Sequence, residues 1–299
     1  MNELPQKVLI REVGPRDGLQ NEAGFVSTKT KVQLIKALVN TGLKAVEITS
    51  FVRPDAVPQF KDAEELCAQL ELDRETVFSA LVGNAKGVER ALKIKMPELV
   101  CVISASEAHN KYNLKMTVNQ SLQQLKEIAS LTKGLKLVLR GAVATAFGCP
   151  YQGTIGYGEI ERIIDGMLEA GMKQLTLADT AGLANPKQVY TVVQHVKQKY
   201  PGVDLGLHFH DTRGMAMANV LAGLEAGIEI FEGSISGAGG CPFISGAAGN
   251  IATEDMIYML HRMGIFTGID LDSLVQSARF LEEILGHHLP GRLMRSGTF

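Results

Sequence analysis

Two histidines stand two residues apart in His208-Phe209-His210, inside a short apolar run that reads as a β-strand. Side chains at i and i+2 of a strand share a face, so both imidazoles can aim at one point. A single histidine would be ordinary core. A pair at a strand end, followed by Asp211, favours metal ligation instead. Asp17 can add a carboxylate and Asn250 a carbonyl oxygen, and two nitrogens with two oxygens leave room for water and substrate in an octahedral shell. That donor set suits Mg²⁺ or Mn²⁺ and would also accept Zn²⁺, Co²⁺ or Fe²⁺.

Arg16 precedes Asp17 and is bracketed by Gly14-Pro15 and Gly18, so the chain turns tightly there. A guanidinium in such a turn is a fixed, permanently charged donor for a developing enolate or carboxylate, rather than a surface ion pair. Glu47, from a neighbouring strand, can hold it through two hydrogen bonds. Cys241 lies in Gly237-Ala238-Gly239-Gly240-Cys241-Pro242, where glycines allow a lid to open and close. Beside a metal and an arginine its thiol could transfer a proton. Cys67, Cys101 and Cys149 read as core thiols. The glycine run lacks the Lys-Ser/Thr of a phosphate-binding loop.

These residues need a scaffold that brings distant strands to one face. Short β-branched runs at 7–13, 45–51, 76–82, 98–104, 136–144, 174–180, 204–210 and 229–235 alternate with amphipathic helical stretches such as 29–41 and 159–170. Eight such units without a break in composition predict an α/β fold, a closed (β/α)8 TIM barrel forming one catalytic domain over 1–299. A doubly wound sheet is the second choice. Helices near 253–263 and 270–286 are expected to be additions that cover one end of the barrel. In such barrels the site lies at the C-terminal ends of the strands. Strand 1 carries Glu12 and leads into Arg16 and Asp17, Glu47 lies on strand 2, Asp179 ends strand 6 and His208 and His210 sit on strand 7.

The 299 residues are 45% hydrophobic and 21% charged with a formal net charge of −2, and no dense basic stripe is present. Nucleic acid and anionic membranes are therefore poor partners, whereas an anionic small molecule needs only a local basic pocket. The four cysteines show no framework spacing, as in a reducing compartment. The N-terminus shows no secretory pattern and no run reaches a membrane-spanning length, so the cytoplasm is the expected location.

The segments Glu12-Val13-Gly14-Pro15-Arg16-Asp17-Gly18-Leu19-Gln20-Asn21-Glu22, His208-Phe209-His210-Asp211-Thr212, Gly239-Gly240-Cys241-Pro242 and Gly246-Ala247-Ala248-Gly249-Asn250 follow in order along the chain. Together with Glu47 they resemble the 3-hydroxy-3-methylglutaryl-CoA lyases, within a wider group of metal-dependent barrel lyases and acyltransferases sharing an Asp-Arg-Glu constellation. The resemblance implies cleavage of a small acyl-CoA into acetoacetate and acetyl-CoA, in the breakdown of leucine or other short-chain acyl groups. It implies Asp17, His208, His210 and Asn250 as metal ligands and Arg16 with Gln20 as substrate-binding groups. Cys241 becomes a catalytic acid or base, and Asp179 and Glu47 fall on further acidic positions. A homodimer is compatible with such a chain. Ala23 stands where some members have lysine and Arg213 where an aromatic residue is frequent, and both positions bear on acyl-CoA contacts. An alkylmalate-type synthase is the nearest rival, but it usually carries a long C-terminal region and Glu in place of Leu19. A non-haem iron oxygenase shares the two-His-one-carboxylate set but usually has a β-sandwich fold. A metal-stabilised binding protein without turnover is the non-catalytic rival.

Overall fold

The computed structural model describes residues 4–72, 75–239 and 249–298. Eight strands close into one barrel: β1 (Leu9–Glu12), β2 (Ala45–Ser50), β3 (Val77–Leu81), β4 (Glu98–Ser104), β5 (Val138–Ala144), β6 (Gln174–Asp179), β7 (Asp204–Phe209) and β8 (Ile230–Gly233). Neighbours are parallel all the way round, and β1 seals the ring against β8 from Leu9↔Ile230 to Glu12↔Gly233. Each strand falls inside one of the β-branched runs read from the sequence.

Alternation along the strands sorts the side chains. Val46, Ile48, Leu99, Leu177 and Leu207 point outward and are fully buried under the helices. Glu47, Glu98, Arg140, Thr176 and Glu232 point inward and bond one another across the lumen. In β2 the register slips between Glu47 and Thr49 against β3, a bulge that re-aims the strand next to the site.

Helices α1 (Thr28–Asn40), α2 (Ala63–Ala68), α3 (Ala85–Lys93), α4 (Glu107–Leu114), α5 (Val118–Thr132), α6 (Tyr157–Glu169), α7 (Pro186–Lys199) and α8 (Ala216–Glu225) link the strands. Local signals start them. Ser27 Oγ accepts from the Thr30 amide before α1, and Thr117 and Gln120 form a reciprocal capping box before α5. Asn185 caps α7, with Pro186 at its first position.

The C-terminal part begins with α9 (Thr253–Arg262), which follows β8 and completes the helical ring. Beyond it the chain reaches the barrel floor, where the Val8 amide donates to Phe266 O at 3.0 Å. From there α10 (Leu271–Leu285) packs along α1, and α11 (Leu293–Ser296) along α9. These elements lie on the flank and meet the mouth end of the barrel at the loop after β8. There Ser236 Oγ donates to Ala278 O at 2.8 Å and the Gly291 amide to Ser236 O at 2.9 Å. No helix among the described residues is long and apolar enough to cross a membrane.

Candidate active site

The loop after β1 winds into one widened turn, Gly14–Gly18, in which the Leu19 amide donates to Gly14 O at 3.0 Å. Pro15 begins the turn, and Gly14 has no substitute. A Cβ there would stand 2.6 Å from Glu12 Oε1 and 2.8 Å from Ile235 Cγ2. Glu12 itself faces away from the mouth, accepting from the Gly14 and Ile235 amides and from Thr253 Oγ1 at 2.6, 2.9 and 2.6 Å. Burial nonetheless pushes its carboxyl up to about 7. It ties the β1 turn to the loop after β8, and so places Arg16 and Asp17.

Arg16 is buried, with Nε donating to Glu47 and Nη1 to Asp17. Asp17, His208 and His210 bring one donor atom each within 4.8 Å of one another. Burial opposes charge on Asp17, but Arg16 and the two imidazoles hold its pKa down at about 2. Burial and the neighbouring His208 press His210 down to about 4. At neutral pH the carboxylate is therefore ionised and the His210 ring neutral, the states a cation requires.

Asn250 arrives from the far end of the chain. Residues 249–251 return to the end of β7, where Asn250 bridges to His210 and the Ile251 amide donates to Phe209 O at 3.0 Å. Its Nδ2 donates to Asp17 Oδ2 and Ala238 O, both at 2.9 Å. Asn250 Oδ1 and His210 Nδ1 are buried without a hydrogen-bond partner. Buried polar atoms are rarely left so. An orphaned carbonyl oxygen beside an ionised carboxylate and two imidazoles, with His210 Nε2 4.0 Å from Asp17 Oδ2, fits a divalent cation.

Sequence reasoning missed the support beneath. His208 Nδ1 meets Glu232 Oε2 at 3.1 Å, which orients the ring. Burial lowers the basicity of His208, but the bond to Glu232, the charge of Glu232 and the charge of Asp17 together outweigh it, and the net shift is upward. Glu232 also accepts from Arg140 Nη1 and from Thr176 Oγ1. Arg140 Nη2 reaches Glu47 at 3.2 Å and its Nε reaches Glu98 at 3.0 Å, while Arg11 joins Glu98 from below at 3.0 Å. One buried chain of charges thus connects the barrel floor to both Arg16 and His208. The available signal was a charge in the middle of an apolar strand, as in Val138-Leu139-Arg140-Gly141-Ala142 and Ile230-Phe231-Glu232-Gly233.

The remaining expected residues are distributed as follows. Gln20 joins Arg16, Asp17, His208 and His210 around a cavity of about 330 Å³. Glu47 holds Arg16 from behind. Asp179 is buried with its oxygens on the Leu183 and Ala184 amides at 2.8 and 3.1 Å, so it clamps the loop after β6. Burial raises its carboxyl to about 6. Arg213 donates to the carbonyls of Ala181 and Gly182. Cys67, Cys101 and Cys149 are buried free thiols, and burial pushes Cys67 and Cys101 up to about 12. Cys241 lies outside the described residues. Gly239, at the stem of its loop, has φ +99°, and a Cβ there would stand 2.7 Å from Asp17 O.

A closed βα barrel with a carboxylate, two imidazoles, an amide oxygen and an arginine at its mouth defines a class of metal-centred barrel enzymes. Within that class, the HMGL-like family model matches residues 7–281, and the chain belongs to this family. It is 42% identical over 288 residues to the hydroxymethylglutaryl-CoA lyase of Bacillus subtilis, covering 96% of both chains. The human mitochondrial hydroxymethylglutaryl-CoA lyase is 36% identical over 296 residues, covering 99% of this chain and 91% of that one. Among solved structures, an Acinetobacter baumannii HMG-CoA lyase in complex with coenzyme A and 3-methylmalate superposes with a TM-score of 0.94. It is 42% identical, with 99% of this chain and 97% of that chain covered.

Proposed function

We propose that the protein cleaves 3-hydroxy-3-methylglutaryl-CoA into acetoacetate and acetyl-CoA, with Mg²⁺ or Mn²⁺ as its metal. The convergence of Asp17, His208 and His210 with the unpartnered Asn250 Oδ1, beside Arg16, carries this reading. Those four residues hold the cation. When bound, it supplies Lewis acidity that lowers the pKa of the substrate's tertiary hydroxyl.

The chain's own groups do the rest. Asp17 or an imidazole of the pair takes the hydroxyl proton. The bond between C3 and the carbon next to the thioester breaks, leaving a ketone at C3 and an electron pair delocalised as a thioester enolate. Arg16, locked between Glu47 and Asp17, meets the enolate oxygen with a charge that needs no reorganisation; a comparable fixed donor is worth about 3–4 kcal/mol. Gln20 binds the substrate at the cavity wall. Cys241 protonates the enolate carbon to release acetyl-CoA. Glu47 and Asp179 position rather than react. A cytoplasmic location and a homodimeric assembly belong to the same reading, to be checked by cell fractionation and sedimentation.

The test is product analysis. Chelated protein given 3-hydroxy-3-methylglutaryl-CoA should be inert, and added Mg²⁺ or Mn²⁺ should restore acetoacetate and acetyl-CoA in equal amounts. Full turnover by metal-free protein would overturn the metal's role, and condensation without cleavage would favour a synthase.

A further inference from the structure

The cavity wall that begins beside His208 is made of small side chains. Ala178 of β6 is in register with His208, and Ala142 of β5 pairs with Val102 of β4. Ala142 and Ala144 alternate in phase with Arg140, and Ala178 with Thr176, both of which point into the lumen. Inward positions of such barrels are mostly filled by bulky branched residues. Here three neighbouring ones are alanine. Ala142, Ala144 and Ala178 keep 8%, 6% and 8% exposure while their outward neighbours Val143 and Leu177 have none. All three alanines line the cavity, so their residual surface opens into it. The cavity continues past Val102 to Leu125 and Ile128 of α5, while His109, Asn113 and Gln124 supply polar groups elsewhere on its wall.

The acyl group proposed above has three substituents on its reacting carbon besides the hydroxyl. Two carry a carboxylate and a thioester; only the third is pure hydrocarbon, and the three alanines offer it an apolar wall. We propose that the alanine-lined arm receives this C3 substituent and that the enzyme takes 3-hydroxy-3-alkylglutaryl thioesters with chains longer than methyl. The inference rests on the lyase reading for the orientation of the acyl group. Cleavage of the propyl member needs no further reactant. The hydroxyl proton leaves, the bond from C3 to the thioester α-carbon breaks, and its electron pair stays on that carbon, which takes up a proton. The products are acetyl-CoA and 3-oxohexanoate.

Binding is read with Mn²⁺-loaded protein and the uncleavable 3-methyl-, 3-ethyl- and 3-propylglutaryl-CoA, by titration calorimetry. Turnover is read with the corresponding 3-hydroxy thioesters. Kd should fall roughly fourfold for each added methylene that is buried, and kcat/KM for the propyl substrate should match or exceed that for the methyl one. Ala142→Leu should raise the ratio of propyl to methyl Kd about tenfold or more; Ala144→Leu asks the same question if the first variant does not fold. A Kd that stays level or rises with chain length overturns the proposal, as does a gain that survives both substitutions. If the methyl substrate is not cleaved but affinity still grows with chain length, the lyase reading fails and the arm stands.

Discussion

In the lower barrel, Arg140 sits among Glu98, Glu47 and Glu232 with hydrogen bonds to all three, and Arg11 closes the set from below. Near the mouth, His210 Nδ1 and Asn250 Oδ1 are just as buried and have no partner. Both regions place polar groups where water is scarce, at a cost in desolvation. The lower one recovers that cost inside the protein, so its side chains are held in a single arrangement. The upper one leaves polar atoms unpartnered within the protein and can recover it by binding something. The charged ladder is thus a rigid frame, with Glu232 setting the His208 ring and Glu47 setting Arg16, beneath the site proposed above to take a cation and an anionic substrate.

Three substitutions sharpen or break this contrast. Arg16→Lys should have the largest effect on activity. Lysine cannot span Glu47 and Asp17 with a planar fork, so kcat should fall by about three orders of magnitude. Metal content, measured by elemental analysis, should stay normal. A variant within tenfold of the wild type would reduce Arg16 to part of the frame.

Arg140→Ala tests the frame itself. It leaves Glu47, Glu98 and Glu232 buried around an unfilled space, and removal of one partner from a buried ion pair typically costs about 3–5 kcal/mol. Denaturant unfolding should show a loss of that order. A loss below about 1 kcal/mol would mean that the ladder is not the rigid element described above.

The smallest expected effect concerns Glu254, behind the mouth. Burial, with the nearby charge of Asp255, raises its carboxyl to about 8 despite the Ser236 amide it accepts from, and its Oε1 has no partner. The folded chain therefore keeps a proton that the unfolded chain releases near 4.5. Stability should fall as pH rises from about 5 to about 8. Glu254→Gln should flatten that slope and gain on the order of 2 kcal/mol relative to wild type at pH 8. An unchanged slope in unfolding measurements across this window would show that Glu254 is already ionised at neutral pH.

Much of the fold was legible in the chain because the signals are local. β-Branched apolar runs and helical periodicity extend over a few residues, and all eight strands and their alternation with helices follow from them. The pair His208 and His210 was legible for the same reason: i and i+2 on one strand need no knowledge of the rest of the molecule. Arg16 and Asp17 were marked by the glycines and proline around them, which announce a tight turn whatever its surroundings.

What the sequence could not decide is how far-apart residues satisfy one another. Arg140 meets partners 42, 93 and 92 residues away, and Asn250 reaches Asp17 across 233. Such contacts depend on the register with which eight strands close, and no local pattern encodes that register. An arginine within an apolar strand is an anomaly on paper and a linchpin only once the ring is shut. Asp179 shows the converse: its place at a strand end suggested chemistry, and folding turned its oxygens onto two backbone amides. Sequence by itself determined the elements and the kinds of donor available. Tertiary structure alone decided which of those donors were left unpaired, because pairing is a property of the closed barrel.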